Sequence, residues 1–256
     1  MELNKVYTGN AIAVMNSFPK EFIDMVITSP PYNVGIKYDV YNDDISVDQY
    51  NDFTANWISE CFRVLKPDGR IAIDVPCMGM KEYFALLQFS NALLQAGFKI
   101  RECIVWVKSH DDNLKEDAID VSFCGNNTAW GSWLSASDPF CRSTTEFILV
   151  AHKKQKLVSS GESDITKEEF MQFTKNAWFM KTNLNPNHPA VFPDEIPYRL
   201  MKLYTYKGAT ILDPFCGTGT TLKIAAKYGR NYIGIDISKK YAKMAENSIG
   251  FFNNGF

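Results

Sequence analysis

Thr28-Ser29-Pro30-Pro31-Tyr32-Asn33 directly follows an apolar run, Phe22 to Ile27. The run reads as a strand, and the residues after it are types that can grip a polar group. Two prolines stiffen the backbone and remove both of their N–H groups. The Pro30 carbonyl and the Ser29 hydroxyl are left as acceptors at a strand's C-terminal end, where open α/β sheets do their chemistry. Tyr32 adds a flat face on which a base can stack. Together these groups could hold an amino group by both hydrogens and leave its lone pair pointing outward. An ordinary Pro-Pro turn after a strand accounts for the same residues, so the motif by itself leaves both readings open.

A second constellation lies near the C-terminus: Ile211-Leu212-Asp213-Pro214-Phe215-Cys216-Gly217-Thr218-Gly219-Thr220-Thr221. It reads as an apolar strand, a glycine turn and a helix start. Glycines let the backbone approach a ligand, and a helix N-terminus offers unpaired N–H groups to an anion. Tyr232-Ile233-Gly234-Ile235-Asp236 follows. An acid ending a second strand about 20 residues past the glycines is placed to bind ribose hydroxyls. The alternative is a tight turn with Asp236 as a helix cap. A nucleoside triphosphate is disfavoured, because the G-x-x-x-x-G-K-[ST] form is missing. The third glycine of a dinucleotide fingerprint is missing too. Asp213 at the strand tip would repel a pyrophosphate but suits an ammonium group. S-adenosylmethionine carries an ammonium, plus a carboxylate for the helix N-terminus.

Apolar strands alternate with amphipathic helices, so the spacing predicts a mostly parallel sheet covered on both faces. Ser46-Val47-Asp48-Gln49 is a capping-box start. Behind it Tyr50, Phe53, Trp57, Cys61 and Leu65 recur at helical spacing until Pro67-Asp68-Gly69. Strands are expected at Arg70 to Val75, Ile100 to Val107 and Glu146 to Ala151, with a helix over 81–96. Two irregular stretches interrupt the pattern, Ser109 to Thr145 and Leu157 to Asn187. The second contains a candidate helix at Lys167 to Phe173. The chain closes with helix Ile196 to Tyr206, strand Thr210 to Asp213, helix Thr220 to Tyr228, strand Tyr232 to Asp236 and a helix from Ser238. The expectation is one domain over 1–256, with insertions at 109–145 and 157–187 contributing to recognition.

With 256 residues the chain can bury a large core. Its net charge of -2 lacks a global basic footprint, so any nucleic-acid surface must be local. His152-Lys153-Lys154-Gln155-Lys156 is one candidate for phosphate contact, although a solvated loop explains it more simply. None of the six cysteines forms a C-x-x-C pair, so no metal site is expected. The opening Met1-Glu2-Leu3-Asn4-Lys5 has no signal-peptide character, and no apolar run is long enough to span a bilayer. The expected setting is intracellular and reducing, the cytoplasm, for a protein that is prokaryotic or virus-encoded, with no membrane partner.

T-S-P-P-Y-N with D-P-F-C-G-T-G-T-T downstream resembles the amino-group DNA methyltransferases. The order, catalytic motif first and cofactor motif late, is that of the beta class. Arg63 to Arg70, Ile104 to Lys108, Gly131 to Trp133, Glu146 to Val150 and His188 to Pro193 also resemble that family, so the likeness covers nearly the whole chain. It implies a Rossmann-like α/β fold with a seven-stranded methyltransferase sheet, the last strand antiparallel, and loop insertions for target recognition. It implies catalytic residues Ser29, Pro30, Pro31 and Tyr32, with a flipped-out base stacked on Tyr32. It implies an S-adenosyl-L-methionine site formed by Asp213, Pro214, Phe215, Cys216, Gly217, Gly219, Thr220 and Asp236, flanked by His188 and Phe192. Asn10 stands where the family often has an acid near the adenine.

In the family a serine before Pro-Pro goes mainly with the 4-amino group of cytosine, and aspartate or asparagine with the 6-amino group of adenine. The expected activity is therefore cytosine N(4)-methylation of double-stranded DNA by direct transfer, with adenine N(6)-methylation as the alternative. A cognate restriction endonuclease without a stable complex, and a homodimer, are compatible with this reading. A carbon-5 enzyme using Pro76-Cys77 would leave Thr28 to Asn33 unexplained. RNA and glutamine methyltransferases with Asn-Pro-Pro-Tyr place their motifs in the opposite order. A catalytically inactive nucleic-acid-binding homologue would not need both motifs intact.

Overall fold

The computed structural model describes residues 1–76, 79–80, 83–109, 131–139, 141, 144–153, 160–181 and 192–253. In chain order the elements are β1 (Lys5–Thr8), α1 (Ala11–Asn16), β2 (Ile23–Thr28), α2 (Val47–Val64), β3 (Leu65–Pro76), β4 (Gly79–Met80), β5 (Tyr83–Phe84), α3 (Ala85–Gln95), β6 (Lys99–Ser109), β7 (Thr145–His152), α4 (Lys167–Phe173), β8 (Ala177–Lys181), α5 (Glu195–Tyr204), β9 (Thr210–Asp213), α6 (Thr220–Lys227), β10 (Asn231–Asp236) and α7 (Lys239–Asn253).

Eight strands form one sheet in the order β1-β10-β9-β2-β3-β7-β6-β8, and β4 pairs with β5 in a separate hairpin. β1, β10, β9, β2 and β3 run parallel. β7 opposes both of its neighbours, β3 and β6, whereas β8 runs parallel to β6. The methyltransferase-type sheet is thus present with one strand more than the seven expected. Its antiparallel member is β7, inside the sheet. The additional strand, β8, pairs Val105 with Ala177 through Ser109 with Lys181 and buries Trp178 completely.

Period-two alternation in the strands feeds two cores, one on each face of the sheet. In β2, Met25 and Ile27 face one core and Val26 the other, and Ile23, before the register shift at Met25, joins Val26; in β9, Ile211 and Leu212 divide the same way. Met15 of α1, Trp57 of α2 and Phe89 of α3 fill the first. Leu200 of α5, Leu222 of α6 and Ala245 of α7 fill the second. α2 starts as its sequence predicts: Ser46 Oγ accepts from Gln49 N, and Gln49 Oε1 accepts from Ser46 N, both at 3.3 Å. It ends at Val64, and the chain turns straight into β3 at Leu65. The register with β2 jumps there, from Ile23 opposite Leu65 to Met25 opposite Arg70, so Pro67-Asp68-Gly69 falls in an irregular start to β3. Among the described residues, no helix is long and apolar enough to cross a membrane.

Candidate active site

The parallel strands deliver Thr28, Asp213 and Asp236 to one rim of the sheet. Beyond Asp213 the chain must turn sharply to start α6, and two left-handed glycines allow it: Gly217 at φ 50° and Gly219 at φ 88°. Gly219 is also a point of close packing, since a Cβ there would lie 2.8 Å from the Ala245 Cβ. The turn is tied to the next strand through Asp236, whose Oδ2 accepts from Gly217 N at 2.9 Å and whose Oδ1 accepts from Ser238 N at 2.8 Å. Burial pushes the Asp236 carboxyl above its ordinary pKa, against the pull of those two N–H groups.

Asp213 is 2% exposed. Its Oδ1 accepts from Thr28 Oγ1 at 2.7 Å and from Phe215 N at 3.1 Å. Burial raises its pKa to about 6, with the Thr28 hydrogen bond opposing the shift. The carboxyl therefore closes the turn and links it to β2, while one edge reaches the cavity.

Ser29, Pro30 and Pro31 line that cavity, and Tyr32 lies beneath them, 8% exposed. Tyr50 Oη donates to the Pro31 carbonyl at 2.7 Å and fixes the turn from below. Tyr32 Oη donates to the Asp74 carbonyl at 2.9 Å and lies 2.5 Å from Ser29 Oγ. A phenol has one proton. With that proton on the Asp74 carbonyl, the Ser29 hydroxyl must be the donor to Tyr32. Its lone pairs then remain available as acceptors. Burial, aided by the charges of Asp74 and Glu146, pushes the Tyr32 pKa up, so the phenol stays protonated. The Asp74 carboxyl is also pushed up, by burial and then by Glu146, which bonds Lys108 at 2.5 Å.

The cavity is bounded by the glycine turn, the end of β10 and a strap, residues 33–46. Asn10, Asp213, Pro214, Phe215, Cys216, Gly217, Thr220, Asp236 and Phe192 all line it, together with Ser29, Pro30 and Pro31. Gly219 and Tyr32 stand behind its wall, and His188 lies outside the described residues. Asn10 caps α1, its Oδ1 accepting from Ala13 N at 3.1 Å. Lys153 donates to the Leu65 carbonyl at 2.8 Å and lies 4.5 Å over the Phe62 ring, so its ammonium is engaged within the fold. Lys154 and Lys156 lie outside the described residues.

The strap escaped sequence reasoning. Asp43, 2% exposed, collects N–H groups from Asn33, Val34 and Ile36 at 2.7–3.1 Å. Asn33 spans the base, its amide bonding both N and O of Ile45. The strap brings Tyr38, Asp39 and Tyr41 to the cavity, where Phe53 of α2 joins them. The Asn following Pro-Pro-Tyr and the acid ten residues on were the available signal.

A mostly parallel sheet with a glycine turn, a strand-end acid and a Ser-Pro-Pro-Tyr turn on one rim defines a methyltransferase of the amino-modifying type. A family model described as DNA methylase, covering N6 and N4 enzymes, matches residues 23–247, and the chain belongs to that family. It is 37% identical over 180 residues to the type II methyltransferase M.MjaVI of Methanocaldococcus jannaschii, spanning 66% of this chain and 85% of that protein. It is 26% identical over 252 residues to the DNA adenine methyltransferase YhdJ of Escherichia coli, spanning 95% and 81%. Among solved structures, the modification methylase TTHA0409 of Thermus thermophilus, complexed with S-adenosyl-L-methionine, aligns with a TM-score of 0.73 at 24% identity, covering 98% of this chain and 95% of that one. The cytosine-N4-specific PvuII DNA methyltransferase aligns at 0.69 and 19%, covering 97% and 91%.

Proposed function

We propose that this amino-methyltransferase moves the methyl group of S-adenosylmethionine onto the exocyclic 4-amino group of cytosine in double-stranded DNA. The base would act while rotated out of the helix, since the reacting nitrogen is inaccessible in a duplex. The observation that carries the reading is the directional chain from Ser29 through Tyr32 to the Asp74 carbonyl. It leaves Ser29 Oγ a neutral acceptor, and Pro30, whose carbonyl would be a second acceptor, lines the cavity beside Ser29. An exocyclic amine offers two hydrogens to those two acceptors. Its lone pair is delocalised into the ring, so holding both hydrogens out of the ring plane makes the nitrogen a better nucleophile. Proximity and orientation then carry most of the rate.

The cavity's donor set fits the cofactor: a buried carboxyl at the strand tip for its ammonium, unpaired N–H groups at the start of α6 for its carboxylate, and Asp236 for its ribose. When bound, the cofactor supplies an electrophilic methyl group. Asp213, Pro214, Phe215, Cys216, Gly217 and Thr220 would hold its amino-acid half, with Phe192 alongside. Ser29 and Pro30 orient the amine toward it. Tyr32 clamps the base with its ring and directs Ser29 with its hydroxyl. Residues 109–145 and 157–187 would read the DNA.

An adenine reading rests on the likeness to YhdJ. Sequencing DNA from a host expressing the protein, with a readout that separates methylcytosine from methyladenine, decides between them. Methyladenine alone would overturn the cytosine assignment, and no modified base would overturn the reading as a whole.

A further inference from the structure

The wall of the cavity around Asp236 is short of acceptors. An adenosine half presents donors there: two ribose hydroxyls and the 6-amino group. Both Asp236 oxygens already accept a backbone N–H, from Gly217 and from Ser238. Asn10 offers only a neutral oxygen, which already accepts from Ala13 N as a helix cap, and its amide nitrogen is a donor. One further carboxylate reaches the same wall. Asp39, at the tip of the strap, lines the cavity, and its Oδ2 accepts from Ser238 Oγ at 2.5 Å. Ser238 is two residues past Asp236, so the two carboxylates stand side by side, and the charge of Asp39 contributes to the raised pKa of Asp236. Asp39 Oδ1 has no partner among the described residues.

We propose that Asp39 is a cofactor-binding residue: with Asp236 it forms a two-carboxylate clamp on the ribose diol. Resting on the S-adenosylmethionine reading, it deepens that reading by giving the strap a task. The strap is built to hold Asp39 in place. Asp43 and Asn33 fix its base, and the Ser238 hydroxyl latches its tip. The strap also begins at Asn33, next to Tyr32, so an occupied ribose site braces the chain that carries the Ser-Pro-Pro-Tyr turn.

The test measures binding, not turnover. S-adenosylhomocysteine and its 2′-deoxy and 3′-deoxy forms are titrated by calorimetry against wild type, Asp39→Ala and Asp236→Ala, with thermal unfolding confirming that each variant is folded. Asp39→Ala should weaken S-adenosylhomocysteine about ten- to hundredfold, the loss of a charged hydrogen bond. It should lose no more on removal of one of the two hydroxyls, whereas wild type loses affinity on removal of that same hydroxyl. If Asp39→Ala binds all three ligands as wild type does, or weakens all three by one common factor, the clamp is overturned. If wild type fails to bind S-adenosylhomocysteine at all, the cofactor reading itself falls. Asp39→Asn, nearly isosteric, should repeat the alanine result if the carboxylate rather than the packing matters.

Discussion

Thr28 Oγ1 donates to Asp213 Oδ1 at 2.7 Å, across 185 positions of sequence. The bond joins the last residue of β2, which leads into the Ser-Pro-Pro-Tyr turn, to the last residue of β9, which leads into the glycine turn. The two halves of the site thus share one buried carboxyl. Thr28→Val removes the donor while keeping the shape. It should cost about 1–3 kcal/mol at neutral pH, the penalty of a buried polar group left short of a partner. Asp213 has a folded pKa of about 6, above its ordinary 3.8. Ionising it therefore costs the folded state, and that cost grows from pH 3.8 to 6 and is constant above. Urea unfolding of Thr28→Val should show the full loss at about pH 7.5 and little of it at about pH 4. An equal loss at both would mean that the bond does not act through the carboxylate.

Cofactor affinity should follow the same group. An ammonium favours ionised Asp213, so binding weakens as pH falls below about 6, approaching tenfold per unit. Calorimetry from about pH 5 to about pH 7.5 would read this, and Asp213→Asn should abolish the dependence while weakening binding throughout. A wild-type affinity flat over that range would detach Asp213 from the ammonium.

The hydrogen-bond direction at Tyr32 revises what the sequence suggests for its variants. From sequence only the ring face matters, so Tyr32→Phe should keep much of the activity. With the hydroxyl directing Ser29, Tyr32→Phe should lower turnover about tenfold, the worth of one hydrogen bond, with cofactor affinity unchanged. Tyr32→Ala should fall further, since a base stack is worth roughly 1–3 kcal/mol. Ser29→Ala should match Tyr32→Phe or exceed it, and Cys77→Ser should be nearly silent. Full activity in Tyr32→Phe would leave the ring as the residue's whole contribution.

Gly219→Ala places a Cβ on a left-handed backbone and 2.8 Å from Ala245. Neither strain can relax without moving α7 or the turn. The variant should lose roughly 1–3 kcal/mol of stability and bind cofactor weakly even where it remains folded. Thermal unfolding and calorimetry check the two parts separately.

Lys153→Ala should lower stability, because the side chain bonds Leu65 and covers Phe62. The salt dependence of DNA binding should stay as in wild type. A flatter slope would place Lys153 on the phosphates after all.

Legibility tracked the range of the signal. β2, the capping box of α2, α4, and the run β9, glycine turn, α6, β10 are specified by residues within a few positions of one another, and all were readable. β1 and α1, four and six residues long, are too short to show a period. β8 exists through pairing with β6, far earlier in the chain, and nothing local in Ala177 to Lys181 announces it. The strap was hidden because it has no period: Asn33 and Asp43 hold it through bonds to its own backbone, and their ten-residue spacing belongs to no regular element. Asn10 was readable as a departure from the family, but the residue that faces the same wall, Asp39, was not.

Because β7 runs against β3 and β6, Glu146 sits opposite Pro76 and Thr145 opposite Val107. β8 brings Lys181 level with Ser109. The chain therefore departs from, and in the case of 110–144 returns to, the rim that bears Thr28, Asp213 and Asp236. Changes of length between Ser109 and Thr145, or after Lys181, begin at that rim and leave the registers of the described strands untouched. In evolutionary terms the sheet separates two kinds of change: chain length can vary at those points at little cost to folding, while the strand ends that carry Thr28, Asp213 and Asp236 cannot slip.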